Sequence, residues 1–388
     1  MSADPGRKTA LLLVACLTVM SAATVAPALP RMAEAFSAAP NAELLSKLVL
    51  TAPAVAIALC APFAGALVDR FGRVGILRAS LALYGLAGAA GYVLEDLYAI
   101  LASRAVLGVA VAGTMTSVTA LAGDYYTGEA RTRYAGHQSL AMSLGAVVCV
   151  AAGGLLADIG WRLPFLVYLT GWGVLVPVLL YLDEPHRAAA APVALGHRAA
   201  FPRGPIAAAY GVTFFAVATF YMIPVQVPFL LRSIGVESGT AAGVAVAAAS
   251  LTAAAGSAWF ALLRRSHGVL GVYAWAFVLM AAGYALAGFA GTFAGVLGGA
   301  AVAGVGVGLF FPNSNLWVLA LAPPALRGQL AGGLTSAIFL AQFLSPILVH
   351  PLVAATSLAR AFTIAAGLMA IAAGTLTLLR LREQTLPA

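Results

Sequence analysis

Gly65-Ala-Leu-Val-Asp69-Arg70-Phe-Gly72-Arg73-Val-Gly-Ile-Leu77 is the stretch whose reading decides the fold. It sets one acid and two arginines between two apolar runs, 46–68 and 76–94. A helix needs about 20 apolar residues to cross a bilayer, and each run is long enough. The residues between them allow only a tight turn, and glycine tolerates both the turn and close helix approach. Two antiparallel membrane helices joined by a basic loop follow from this stretch alone.

The whole chain agrees with that reading. Of 388 residues 62% are hydrophobic and only 9% charged, with 41 glycines. A soluble domain carries roughly 25% charged residues, so this chain cannot clothe a water-facing surface. Abundant glycine suits close helix packing in lipid. The net charge of +8 does not imply nucleic acid, because the basic residues stand singly between apolar runs and form no stripe. Cys16, Cys60 and Cys149 lie in separate apolar stretches and the five histidines are scattered. No disulfide framework, metal site or cofactor is expected.

Twelve spans are expected: 9–30, 46–68, 76–94, 97–122, 134–156, 161–182, 205–230, 240–263, 269–290, 293–320, 329–353 and 358–380. The first follows Arg7 and Lys8, and Ala33-Glu34-Ala35 resembles a signal-peptidase site. Its apolar stretch exceeds the 7–15 residues or so usual in such peptides, so it reads as a retained helix. With the N-terminus inside, fifteen Lys and Arg fall on the cytoplasmic side and five outside, Lys47 among the five, with Arg104 left within a span. That bias puts both termini in the cytoplasm.

The chain also repeats itself near half its length. Glu129-Ala-Arg131 with Ala135-Gly136 matches Ala325-Leu-Arg327 with Ala331-Gly332, and Gly108 matches Gly304, all offset by 196. Trp161-Arg162 answers Ala359-Arg360, and Pro27 and Pro30 answer Pro224 and Pro228, at 197–198. Residues 183–203 form the only long polar connection. The expected organisation is therefore an all-α integral membrane protein of two pseudo-symmetric six-helix bundles, 1–182 and 204–388, joined by a linker at 183–203. Paired six-helix halves are a transporter architecture with a site near the midplane.

With these residues in view, a family resemblance can be stated. Gly65, Asp69, Arg70, Gly72 and Arg73 resemble the GxLaDrxGrkxxl signature of the major facilitator superfamily, at the expected junction between helices two and three. The second half keeps only Arg264, Arg265 and Gly268 at the matching place. Arg104 and Gly108 are similar to the RxxxG core of the family's fourth-helix motif. A charge inside a span costs at least ~2.5–3.5 kcal/mol, so Arg104 is expected to have a partner or a role, or else to snorkel to the outer interface; the resemblance implies that it handles a proton or a substrate anion. Gly136, Gly145, Gly153 and Gly154 match the antiporter signature of helix five, where Cys149-Val150 replaces the family's Gly-Pro. The ensemble looks most like the twelve-helix drug:proton antiporter branch. The resemblance implies the twelve-helix fold, a cytoplasmic gate at Gly65–Arg73, and a cavity lined by helices 1, 4, 7 and 10.

Within that cavity the expected substrate contacts are Tyr210, Phe214 and Tyr221 on one face of helix seven, Asn313 and Trp317 on helix ten, and Phe339 and Gln342 on helix eleven. Ser21, Thr114, Gln138 and Gln226 are weaker candidates. Aromatic stripes also serve plain packing, and buried amides also bond between helices. His137 reads as a solvated residue near a helix end. All thirteen acids fall in loops or at helix ends, so the expected cargo is a small neutral or anionic molecule, an amphipathic one included. The expected function is proton-coupled efflux by a monomer in a bacterial inner membrane, with protons the coupling ion and no nucleic-acid partner. The alternatives are a metabolite importer or facilitator and, outside transport, a transporter-like sensor or scaffold. No clustered nucleophile and base supports an enzyme.

Overall fold

The computed structural model describes residues 5–185, 203–323 and 326–385; most of the expected linker, 186–202, lies outside them. The regular elements described are helical. The first six spans are α1 (Pro5–Ala35), α2 (Ala42–Phe71), α3 (Arg73–Tyr92), α4 (Leu97–Tyr125), α5 (Gly128–Ile159) and α6 (Leu163–Tyr181). The second six begin with α7 (Arg203–Ser233) and end with α10 (Phe293–Leu321), α11 (Arg327–Ala355) and α12 (Leu358–Thr385).

Between them runs a single helical stretch of 51 residues, Gly239–Phe289. At 1.5 Å per residue it would measure about 77 Å, more than twice a hydrocarbon core of about 30 Å. Gly268 resolves the conflict: its φ of 67° and ψ of −167° break the helix. The stretch is therefore two spans, α8 over 239–267 and α9 over 269–289, and the chain crosses twelve times. Gly72, with φ 90°, makes the matching break between α2 and α3.

Two further differences from the sequence expectation have local causes. α5 begins at Gly128 instead of 134, because Glu129 and Arg133 form an i,i+4 pair that continues the helix past the apolar stretch. α1 and α7 are interrupted, α1 at the turn Ala26–Ala28 around Pro27 and α7 at Tyr221, just before Pro224 and Pro228. Proline supplies no N–H to the helical ladder.

Each half has its own core. Leu11, Tyr84, Leu107, Phe165 and Tyr168 bury against one another in the first, and Tyr273, Phe277, Tyr284, Phe310 and Phe362 in the second. The repeat is visible in the packing. A Cβ on Gly108 of α4 would overlap the Pro53 carbonyl of α2, and one on Gly304 of α10 would overlap the Ala249 carbonyl of α8. Both partners of the second contact lie 196 residues after those of the first. In lipid, van der Waals contact between close backbones is what holds helices together.

The hydrogen bonds that join the halves gather at the end away from the chain termini. There Asp158 of α5 accepts from the backbone N–H of Gly239 (2.5 Å) and Thr240 (2.9 Å) and from the Ser238 hydroxyl (3.1 Å). Arg232 of α7 reaches Glu34 (2.8 Å) and the Pro30 carbonyl (3.0 Å) of α1. Gly154 of α5 lies so close to α8 that a Cβ there would sit 2.7 Å from the Gly239 carbonyl.

Candidate functional site

The turn between α2 and α3 is held inside the first half. Glu184 caps the start of α3, its two carboxylate oxygens accepting from the N–H of Arg73 (2.6 Å) and Val74 (2.8 Å). Arg73 also pairs with Asp124 at the end of α4, 2.5 Å away. Asp69 and Arg70 are exposed, and Asp69 has no ion pair among the described residues. A Cβ on Gly65 would meet nothing within 4 Å. Thus Gly72 and Arg73 brace one bundle here, while Asp69 and Arg70 stay exposed.

Arg104 is 1% exposed, so it does not snorkel to the interface. Its Nη2 donates to the carbonyls of Ala87 (2.7 Å) and Gly88 (2.5 Å), in the last turn of α3. Its guanidinium lies 4.9 Å from the ring centres of both Phe165 and Tyr168. A cation at a helix C-terminus satisfies carbonyls that have no intrahelical donor and complements the dipole. Nε and Nη1 have no partner among the described residues. The side chain is enclosed within the first bundle.

The antiporter-signature glycines divide. Gly153 and Gly154 lie where α5 meets α1 and α8: a Cβ on Gly153 would overlap the Thr24 carbonyl. Gly145 touches Cys16 of α1, whereas Gly136 has open space around it.

The expected substrate residues are not gathered in one place. Ser21 and Thr114 are buried and return their hydroxyls to carbonyls of their own helices, Thr18 and Ala110. Asn313 is fully buried, but its oxygen accepts from Arg264 and its nitrogen donates to the Val269 carbonyl. It ties α10 to the turn between α8 and α9. Tyr210 donates to the Leu330 carbonyl of α11 at 2.6 Å, and Trp317 packs edge-on to Tyr273. Phe339 packs on the core of the first half, and Gln138 is half-buried on α5. His137 is exposed, its Nδ1 against the Arg133 carbonyl.

What does assemble is aromatic and lies at the break in α7. Phe220 stands edge-on to Tyr221 (5.1 Å) and to Phe311 of α10 (6.1 Å). These three and Phe214 are half-buried. One turn further along α7, Gln226 is 1% exposed with neither amide atom bonded among the described residues. Gln342 of α11 is 3% exposed. A dry amide with no partner costs about 1–3 kcal/mol, so Gln226 calls for water or a ligand group. Phe220 escaped the sequence reading because the period that joined Tyr210, Phe214 and Tyr221 assumes an unbroken helix.

Lys47, which the Lys/Arg count assigns to the outer side, has its side chain fully buried in α2. Its Nζ is 2.5 Å from Glu43 Oε1 and 4.5 Å from the centre of the Phe229 ring on α7. Arg104 is therefore not the sole cation within the spans.

Two repeated helical bundles, hydrogen-bonded to each other at one end, agree with the fold that the sequence signatures imply. The model of the Major Facilitator Superfamily matches residues 11–227. The chain belongs to that superfamily. Membership makes it an integral membrane transporter and not an enzyme. Its relatives include the Escherichia coli class C tetracycline resistance protein, 36% identical over 188 residues, or 45% of this chain and 44% of that one. Multidrug resistance protein 1 of Bacillus subtilis is 35% identical over 33% of each chain, and the bacillibactin exporter of that species 35% identical over 36% of each. These relatives are consistent with the drug:proton antiporter branch. The matched stretch spans less than half of each relative's length. Solved structures extend the likeness in fold to nearly the whole chain. A nucleoside transporter superposes with TM-score 0.79 at 13% identity, over 96% of this chain and 98% of that one. A D-xylose–proton symporter gives 0.78 at 14%, over 96% of each chain.

Proposed function

We propose that this transporter exports a small neutral or anionic amphipathic molecule in exchange for protons, by alternating access between its two halves. The observation that carries the proposal is the aromatic group Phe220, Tyr221 and Phe311 at the break of α7, with the unpartnered Gln226 about a turn away. Apolar walls with few polar groups suit an amphipathic organic ligand. Among the described residues no carboxylate is fully buried, so the spans offer no anion to hold a cationic cargo. The named activities of the tetracycline, multidrug and bacillibactin relatives support export.

In this reading both termini are cytoplasmic, in the inner membrane of a bacterium, as the Lys/Arg bias favours. The clasp of Asp158 and Arg232 would then close the outer side. Asp69 and Arg70 would meet the second half when the inner side closes. Gln226, Gln342 and Tyr221 would supply polar contacts to the cargo, and the protein would work as a monomer.

Proteoliposomes of known orientation, with a pH dye inside and a panel of drugs, siderophores, sugars and amino acids outside, test this. Protons moving against an added compound support antiport and give its class. Protons moving with the compound would make the protein a symporter and reverse the proposed direction. Uptake of labelled compound without a pH change would mean facilitated diffusion.

A further inference from the structure

The two halves treat one equivalent position in opposite ways. In the first, Gly72 breaks the chain and the carboxylate of Glu184 caps the new helix. In the second, Gly268 makes the same break 196 residues later, and the residue 196 after Glu184 is Arg380. A cation thus stands where the repeat places the capping anion.

The start of α9 opens on a groove of about 320 Å³ lined by Ser266, His267, Gly268, Val269, Trp317 and Arg380, among others. The Arg380 guanidinium rests against the first turn of α9: a Cβ on Gly271 would sit 3.0 Å from its Nη1. Its Nη2 reaches the Ser266 carbonyl only at 3.4 Å. His267 has Nδ1 2.7 Å from the Ser266 hydroxyl, and its ring stands edge-on to Trp275. Helix starts present N–H groups without intrahelical acceptors and favour anions.

The charge around this groove is also unbalanced. From Arg203 onward the sequence has only two acids: Glu237 lies at the opposite end, beside Ser238 and Arg232, and Glu383 follows Arg380 by three residues on α12, one acid among Arg264, Arg265, Arg327, Arg380 and Arg382 at this end. Among the described residues Arg264, Arg265, Arg327 and Arg380 form no ion pair, while in the first half Arg7, Arg73 and Arg133 on the same face each have one. Trp275 and Trp317 flank the groove, and tryptophan is favoured at headgroup depth.

We propose that this groove binds a phosphate group, carried by an anionic lipid headgroup or free in solution, between Arg380, His267 and the first turn of α9. The bound anion supplies to α9 what Glu184 supplies to α3. The site is on the rim of the second bundle, apart from the aromatic group at α7, so it does not depend on the transport reading.

The test uses the full-length protein, delipidated in detergent, with its thermal midpoint followed by tryptophan fluorescence. Three probes are titrated: short-chain phosphatidylglycerol, phosphatidylcholine of the same chain length, and inorganic phosphate. Phosphatidylglycerol raising the midpoint where phosphatidylcholine does not assigns the site to lipid. A rise with inorganic phosphate alone assigns it to the free anion. In either case Arg380→Gln should weaken the apparent affinity by about tenfold or more, the effect of losing a charge-assisted contact. Arg380→Glu should abolish the response while leaving the ligand-free midpoint at or above that of the wild type, because its carboxylate can cap α9. Arg133→Ala, a basic residue of the first half, should respond as the wild type does. No shift with any probe, or an undiminished shift in both Arg380 variants, would overturn the proposal.

Discussion

Asp158, near the end of α5, caps the first turn of α8 by accepting from the backbone of Gly239 and Thr240, so a carboxylate of one half finishes a helix of the other. Arg31 of α1 stands behind it, 3.8 Å from Oδ1, and donates to the Ala157 and Asp158 carbonyls at 2.6 and 2.9 Å. Opening this end must break the carboxylate's bonds to α8 together. Nothing comparable joins the halves at the termini side among the described bonds. Hydrogen bonds to a charged group contribute about 1.5–3 kcal/mol each. Asp158→Ala should therefore move the population of the alternative, oppositely open state up by at least about tenfold. A cysteine placed at Phe311 and probed with a membrane-impermeant thiol reagent from the far face reads this directly. Unchanged labelling would show that α5 and α8 are held by packing alone.

Packing has its own test at the same junction. Gly153 leaves no room for a side chain against the Thr24 carbonyl, while Gly136 of the same signature has open space. Gly153→Ala should disfavour closure of the far end and reduce transport severely. Gly136→Ala should leave transport unchanged and, in a helix interior, gain about 0.5–1 kcal/mol of stability. Equal effects of the two substitutions would argue against a role in closure.

Much of this architecture was legible in the sequence, because lipid admits few solutions. Long apolar runs must be helices, and one offset of 196 links Gly108 to Gly304 and Gly72 to Gly268. The site was less legible. Hydropathy places Lys47 near an outer loop, but only the approach of Phe229 from the other half buries it. Asn313 is a buried amide from its position, yet its partner Arg264 lies 49 residues away. Phe220 joins Phe311 only because α7 breaks at Tyr221. Contacts between distant segments decided each case, and single-helix periodicity carries no record of them.

Arg104 connects two helices of one bundle, so its loss should show first in stability. Arg104→Ala would orphan the Ala87 and Gly88 carbonyls, at about 1–3 kcal/mol for each buried acceptor left unpaired. Arg104→Lys keeps the charge at the end of α3 but lacks the planar fork that lies over Phe165 and Tyr168. The expected order of unfolding midpoints is wild type, then Arg104→Lys, then Arg104→Ala. Transport per folded molecule should fall less than the midpoint does. A collapse of transport at an unchanged midpoint would instead give Arg104 a direct part in handling cargo or protons.

Gln226 separates a binding site from a structural one. Its amide is buried and unbonded, so Gln226→Leu removes an unsatisfied polar group at nearly constant volume. Such a change is neutral or stabilising when the group has no function, and a midpoint equal to or above the wild type is expected. If the amide meets the cargo, the same variant should lose affinity by about tenfold, one hydrogen bond's worth, with the fold intact. Phe311→Ala, at the aromatic group, should also weaken binding, and by removing contact area where Gln226→Leu removes a polar partner. Comparing a polar and an apolar member of one cargo class then distinguishes them: Gln226→Leu should narrow the difference between the two, whereas Phe311→Ala should weaken both alike. Full affinity in both variants would move the cargo site away from α7.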